Sequence, residues 1–126
     1  MLSTGLHLAS ESTLAVTRRL GAEAVELSGL PARLYLLQKP GGSIGAAKDP
    51  RRYDRHWTPV HIDVVVDDID AALARAVGAG AHAETDIHVA AYGKIAMLSD
   101  PFGHGFCLIE FLGRGYDEIA EPEAPS

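Results

Sequence analysis

The chain has 126 residues, enough for one domain with a real hydrophobic core. Hydrophobic residues are 47%, which excludes general disorder, and 11 Lys+Arg against 17 Asp+Glu leave a net charge of −6, which argues against nucleic acid or an anionic membrane surface as partner. No apolar run approaches the roughly 20 residues that span a bilayer. The first ten residues lack a basic leader pattern, and the single cysteine cannot form an internal disulfide, so a cytoplasmic protein with a reduced thiol is expected.

Leu6-His7-Leu8-Ala9 is a candidate first strand. Residues 10–20 read as a helix: Ser10 or Ser12 is a candidate cap, and Thr13, Val16, Thr17 and Leu20 form a stripe that Gly21 ends. Residues 24–28 and 33–39 read as strands about Gly29-Leu30-Pro31. Residues 40–56 are rich in Gly, Pro and charge and read as a surface linker. Its Lys48, Arg51, Arg52 and Arg55, with Tyr53, form either a lid that captures an anion or, as such runs usually do, a solvated connection. Gly42-Ser43-Ile44-Gly45 is not followed by Gly-Lys-Ser/Thr, so it is no phosphate loop.

From Trp57 the pattern sharpens. Val60, Ile62, Val64 and Val66 alternate with His61, Asp63, Val65 and Asp67, a strand with one core face and one face presenting imidazole and carboxylate. Asp67 or Asp68 caps a helix whose stripe is Ile69, Ala72, Leu73, Ala76 and Val77, with Gly78 and Gly80 as its stop. Residues 82–89 and 94–99 read as strands broken near Tyr92-Gly93. Asp100-Pro101-Phe102-Gly103 is a turn, and the last strand puts Phe106, Leu108, Glu110 and Leu112 on one face. Residues 118–126 are acidic and Pro-containing, a frayed tail.

Strand–helix–strand–strand–strand, with a His in its first strand and a Glu in its last, resembles the vicinal oxygen chelate superfamily, which includes glyoxalase I, extradiol dioxygenases and bleomycin resistance proteins. The residues that carry the resemblance are Val60-His61-Ile62-Asp63, residues 67–72, residues 78–81, Asp100-Pro101-Phe102-Gly103-His104 and Ile109-Glu110-Phe111. The N-terminal half reads as a shorter copy of the same unit. The expected fold is therefore α+β: two βαβββ-like modules forming a cupped mixed sheet, the first module shortened. A single domain is expected over residues 1–126, with module one at about 1–39, a linker at 40–56, module two at 57–113 and a tail at 114–126.

The resemblance implies a divalent metal at His61 and Glu110, with Fe, Mn, Ni or Zn suiting such donors. Glu110 is also the candidate catalytic group. Superposing the two modules sets Gln38 opposite Glu110 and His7 opposite His61, which makes them the candidate third and fourth ligands. Trp57, Asp63, Phe106, Leu108 and Tyr116 are the candidate lining of a substrate pocket. The bland alternatives are that His61 and Glu110 bond each other or the backbone in a dry cup, that Gln38 is a polar pocket wall, and that His104 only braces the turn. The expected function is that of a metal-dependent lyase, isomerase or dioxygenase acting on a substrate with vicinal oxygens. The alternatives are a metal-free binding protein that sequesters a small molecule, as drug-resistance members do, and a scaffold or sensor with no small ligand. A small-molecule ligand and a homodimer are expected as partners.

Overall fold

A computed structural model describes residues 15–29 and 31–123. Its strands form two sheets. Strands β1 (Ala15–Leu20), β2 (Ala24–Ser28) and β3 (Leu34–Leu37) make an antiparallel sheet in that order. Strands β4 (Ile62–Val65), β5 (His82–Ala83), β6 (His88–Ala90), β7 (Gly93–Ser99) and β8 (Gly105–Phe111) make the second, in the order β4-β8-β7-β5, with β6 also on β7. Helix α1 (Ile69–Gly78) joins β4 to β5. The architecture is mixed α+β with two sheets, as expected.

The helix expected over residues 10–20 is corrected where it is described: residues 15–20 are β1. Gly21, read as a helix stop, instead begins the tight turn of a hairpin that pairs β1 with β2. The reason is local. Val16 and Thr17 are β-branched and favour extended backbone, and Ala24–Ser28 lies within reach as a ladder partner. Arg18 and Glu26 then pair across the hairpin. The expected strand at residues 6–9, and the start of that expected helix, lie outside the described residues.

The second half follows its pattern closely. Asp68 caps α1, its Oδ1 accepting from the Ala71 N–H at 3.1 Å. Ile69, Ala72 and Ala76 are buried, Leu73 packs beside them, and Val77, expected in the stripe, is exposed. These residues meet Val66, Ala96, Leu98, Phe106 and Leu108 to form the core. The strand expected at 82–89 splits in two, because the N–H groups of Glu84 and Thr85 both point at the Met97 carbonyl and interrupt the ladder. Asp100 ties the turn before β8, its Oδ1 accepting from the Phe102 and His104 N–H groups at 2.8 and 3.0 Å.

The linker folds on itself. Ile44 bridges to Pro50, and Arg51 Nη1 donates to Ser43 Oγ and the Ile44 carbonyl. Tyr53 Oη donates to the Lys39 carbonyl at 2.6 Å. Arg51 thus braces its own loop, and Tyr53 ties that loop to the end of β3.

One consequence of the sheet register positions everything that follows. β4 is parallel to β8, with Ile62, Asp63, Val64 and Val65 opposite Phe106, Cys107, Leu108 and Ile109. Paired residues point to the same side of a sheet, and neighbours along a strand to opposite sides. Val64, Phe106, Leu108 and Leu98 therefore lie under α1. Asp63, Val65, Cys107, Ile109 and Met97 lie on the face α1 leaves open.

Candidate functional site

Three donor side chains converge on that open face. Asp63 and Cys107 are direct partners in the ladder, so their side chains stand together. His61 lies two residues before Asp63 and shares its side. His61 Nε2 is 3.1 Å from Asp63 Oδ1 and 3.3 Å from Cys107 Sγ. One ligand atom from each of the three lies within 4.8 Å of the others. Cys107 is buried, while the His61 and Asp63 side chains are half-exposed. The cluster thus has a closed back and an open front.

The geometry is convergent, not a relay. A nucleophilic Cys–His–Asp set needs the thiol on one imidazole nitrogen and the carboxylate on the other. Here both meet Nε2. Burial also pushes the Cys107 thiol above its ordinary value, with Asp63 and Glu84 acting in the same direction. A thiol held protonated at neutral pH is a poor nucleophile. Three donors aimed at one small volume suit a cation instead.

Aromatic rings wall one end of the open face. The chain doubles back after β8 through Gly115, whose φ is +61° and where a methyl would sit 3.1 Å from the Phe111 ring. Tyr116 is thereby laid against Phe111 and Tyr92, at centroid distances of 4.9 and 5.0 Å. Burial raises the Tyr116 hydroxyl's pKa, with Asp63, Tyr92 and Cys107 adding to the effect, so the phenol is within electrostatic reach of the cluster and stays protonated at neutral pH. Val65 and Met97 are exposed on this face, while Ile109 is buried within it.

A cation stands at the other end. Arg55 pairs through two nitrogens with Glu84, Nε to Oε2 at 2.9 Å and Nη2 to Oε1 at 3.2 Å. This interaction raises the pKa of Arg55 and holds the Glu84 carboxyl below its usual range.

The expected site residues are distributed as follows. His61 and Asp63 are in the cluster, and Tyr116 lies beside it. Glu110 is not with them: it occupies the α1 side of β8, where its Oε2 accepts from the Ile69 N–H at 2.9 Å and its Oε1 faces Lys94 Nζ at 3.8 Å. His61 and Glu110 therefore do not share a hollow, because the same alternation that sends Glu110 toward the helix sends Cys107 toward His61. Leu108, expected in a pocket, is fully buried in the core. Trp57, expected to line a pocket, is 83% exposed. His7 lies outside the described residues. Gln38 lines a separate cleft of about 540 Å³ with Tyr35, Tyr53, Ile62, Val64 and Phe106. Its backbone N–H donates to the Glu23 carbonyl at 2.6 Å. The His104 ring lies edge-on to His56, 5.6 Å between centroids, beside the turn it follows.

Cys107 was not anticipated as a site residue, and Arg55 was read only as one member of a basic run that either captures an anion or is a solvated connection. The signal for Cys107 was its spacing, an odd number of residues from Glu110 and an even number from Ile109, which alternation assigns to the open face. Arg55 sits in a linker without periodicity, and nothing local in the sequence sets it apart from the other cations of that run.

A βαβββ unit whose helix covers one sheet face, while donors gather on the other, defines a glyoxalase-like small-molecule scaffold. The comparisons agree. The family model for the glyoxalase-like domain matches residues 17–109, and the chain belongs to that family, within the vicinal oxygen chelate superfamily. No curated protein matches the sequence. Similar solved structures include a glyoxalase-related enzyme from Fulvimarina pelagi, with TM-score 0.57, 16% identity, and 77% of this chain and 70% of that one covered. The hypothetical protein SA1046 from S. aureus gives TM-score 0.56 at 16% identity, covering 86% and 85%. A glyoxalase/bleomycin resistance protein/dioxygenase from Nocardioides gives 0.54 at 17% identity, covering 81% and 70%. At these identities the likeness is one of fold. Among the described residues no helix is long and apolar enough to cross a membrane.

Proposed function

We propose that the chain is a small-molecule enzyme of the vicinal oxygen chelate type, a lyase, isomerase or dioxygenase, whose divalent metal is held by His61, Asp63 and Cys107. The observation that carries this reading is the convergence of imidazole, carboxylate and thiol within 4.8 Å on the uncovered sheet face. The donor types fit: neighbouring ligand atoms around a four-coordinate zinc lie about 3.3–3.7 Å apart, and with separations to Nε2 of 3.1 and 3.3 Å and all three atoms within 4.8 Å, small side-chain shifts would seat the ion. Of Fe, Mn, Ni and Zn, the mixed nitrogen, oxygen and sulfur set favours Zn. Three protein ligands leave a position open to substrate.

When bound, such an ion acts as a Lewis acid toward a substrate with two neighbouring oxygens. The chain's own residues supply the rest. Tyr116 keeps its proton and offers it as a hydrogen-bond donor beside the cluster. Val65, Ile109 and Met97 shed water from the open face. Cys107 must release its proton to bind the ion, so affinity rises with pH. A homodimer is part of the proposal, supported by the exposure of Val65, Met97 and Phe111 on the open face. So is a cytoplasmic location, which keeps the one thiol reduced.

The test is metal analysis of protein purified without chelator and refilled with Zn²⁺, beside His61→Ala, Cys107→Ser and Glu110→Ala. One equivalent is expected in the native chain and in Glu110→Ala, and little in the other two. Absence of stoichiometric metal at micromolar zinc would sink the reading. A metal-free sequestering protein is the second reading. Its support is the cleft of about 540 Å³, walled by Tyr35, Tyr53, Phe102, Ile62, Val64 and Phe106.

A further inference from the structure

We infer that Arg55 is a carboxylate clamp for the ligand of this site, so that the substrate carries a carboxylate next to its metal-seeking oxygens. This deepens the reading of His61, Asp63 and Cys107 as the site, and rests on it. The first support is place. Gly105 is two residues before Cys107 on β8, so it shares the open face about 7 Å further along. The Arg55 guanidinium lies directly over it: a methyl on Gly105 would sit 2.8 Å from Cζ and 3.1 Å from Nη1. The absent side chain is what lets the cation lie on the sheet. The Glu84 carboxylate acts on Cys107, which sets the ion pair and the donor cluster in one electrostatic neighbourhood.

The second support is a count of donors. Arginine has five N–H groups. Nε and one N–H of Nη2 go to Glu84, and one N–H of Nη1 goes to the His56 carbonyl at 2.7 Å. Among the described residues, one N–H on Nη1 and one on Nη2 have no partner. Two donors on adjacent terminal nitrogens are the fork that takes a carboxylate bidentately. Glu84 and His56 fix the plane of that fork before any ligand arrives, which lowers the entropic cost of using it. The side chain is 46% exposed, so the fork is accessible.

A matched pair of probes tests the inference. Succinic acid monohydroxamate carries a metal-binding hydroxamate and a carboxylate. Butyrohydroxamate replaces that carboxylate with a methyl. Both are titrated calorimetrically into zinc-loaded protein, and succinate alone is titrated into metal-free protein. The carboxylate probe is expected to bind about tenfold more tightly than its uncharged partner. Arg55→Lys, which keeps the charge and loses the fork, and Gly105→Ala, which displaces the guanidinium without removing it, are each expected to bring the ratio toward one. Butyrohydroxamate affinity should stay within about twofold in both variants, which shows that the fold and the metal survive. Equal affinity of the two probes in the native protein, or a preference that both variants retain, overturns the clamp. If neither hydroxamate binds, the metal reading falls and the succinate arm decides: binding lost in Arg55→Lys upholds the clamp, and no binding, or binding indifferent to Arg55, overturns it.

Discussion

Replacing Glu110 separates two roles that the sequence alone could not tell apart. In the structure its carboxylate is a helix-capping acceptor, bonded to the Ile69 N–H at 2.9 Å, with its side chain 20% exposed. Ile69 opens α1, whose first N–H groups have no partner within the helix. Asp68 serves the Ala71 N–H and Glu110 serves that of Ile69. Glu110→Ala removes a charge-assisted bond worth about 1.5 kcal/mol, and a favourable charge at the helix N-terminus worth about 0.5 kcal/mol. With about 2.1 cal/mol/K per residue of unfolding entropy over 126 residues, the total of about 2 kcal/mol lowers Tm by about 8 °C. Glu110→Gln keeps an acceptor and loses the charge, so its Tm should fall by about 3 °C. Circular dichroism melts and zinc stoichiometry on the same samples are the assay. Both variants should keep their zinc. A Glu110→Ala protein that melts with the native one but loses the ion would refute the assignment of Glu110 to the helix end.

Leu108 is fully buried between β8 and α1, so Leu108→Ala should cost about 2–5 kcal/mol in urea unfolding, while exposed Val89→Ala stays within about 0.5 kcal/mol; similar losses for both would contradict the core described. Cys107, buried and held above the ordinary thiol pKa, should react with iodoacetamide more slowly than free cysteine at neutral pH. Its rate should climb only above the usual thiol value of about 8.5, and Zn²⁺ should suppress it further; a rate exceeding that of free cysteine would show an activated nucleophile instead. Arg55 holds the Glu84 carboxyl below its ordinary value, so the stability this pair gives is present at neutral pH and lost as the pH falls below the unfolded value of about 4.3. The gap in urea midpoint between native protein and Glu84→Gln should therefore shrink at pH 3, and a gap that widened there would carry the wrong sign.

The second module was legible because each of its elements has one dominant local signal. Asp68 before an apolar stripe set the helix start, and Asp100-Pro101-Phe102-Gly103 set the turn. Residues 15–20 were misread because a stripe of Val16, Thr17 and Leu20 fits a helix nearly as well as a strand. The decision came from Ala24–Ser28 folding back to pair with it, and pairing partners are not a local property. Glu110 was misplaced for a different reason. Its alternation with Phe106 and Leu108 was read correctly, but that face was taken for the pocket rather than for the seat of α1. The valines of β4 already indicated otherwise. If Val64 and Val66 pack under the helix, then His61 and Asp63 must face away from it, and their partner on β8 must be out of step with Leu108. Arg55 was legible only as one member of a basic run, since its position depends on a contact 29 residues away with Glu84.

The parity of β8 also separates the donor cluster from the helix. Leu108 packs under the helix and Glu110 serves its end, while Phe106 lies between that core and the cleft walled by Tyr35 and Tyr53. Gly105, Cys107, Ile109 and Phe111 alternate with them and face away from α1. Read along the strand, those four positions underlie the Arg55 guanidinium, carry the Cys107 thiol, bury Ile109 and set Phe111 against Tyr116, in that order. A one-residue slip of β8 against β4 would exchange the two sets, burying Cys107 under α1 and putting Glu110 on the open face. The seven ladder pairs between β7 and β8 and the four between β4 and β8 resist such a slip, as does the Asp100 turn that starts the strand. The arrangement of the site therefore depends on the same register that holds the core together.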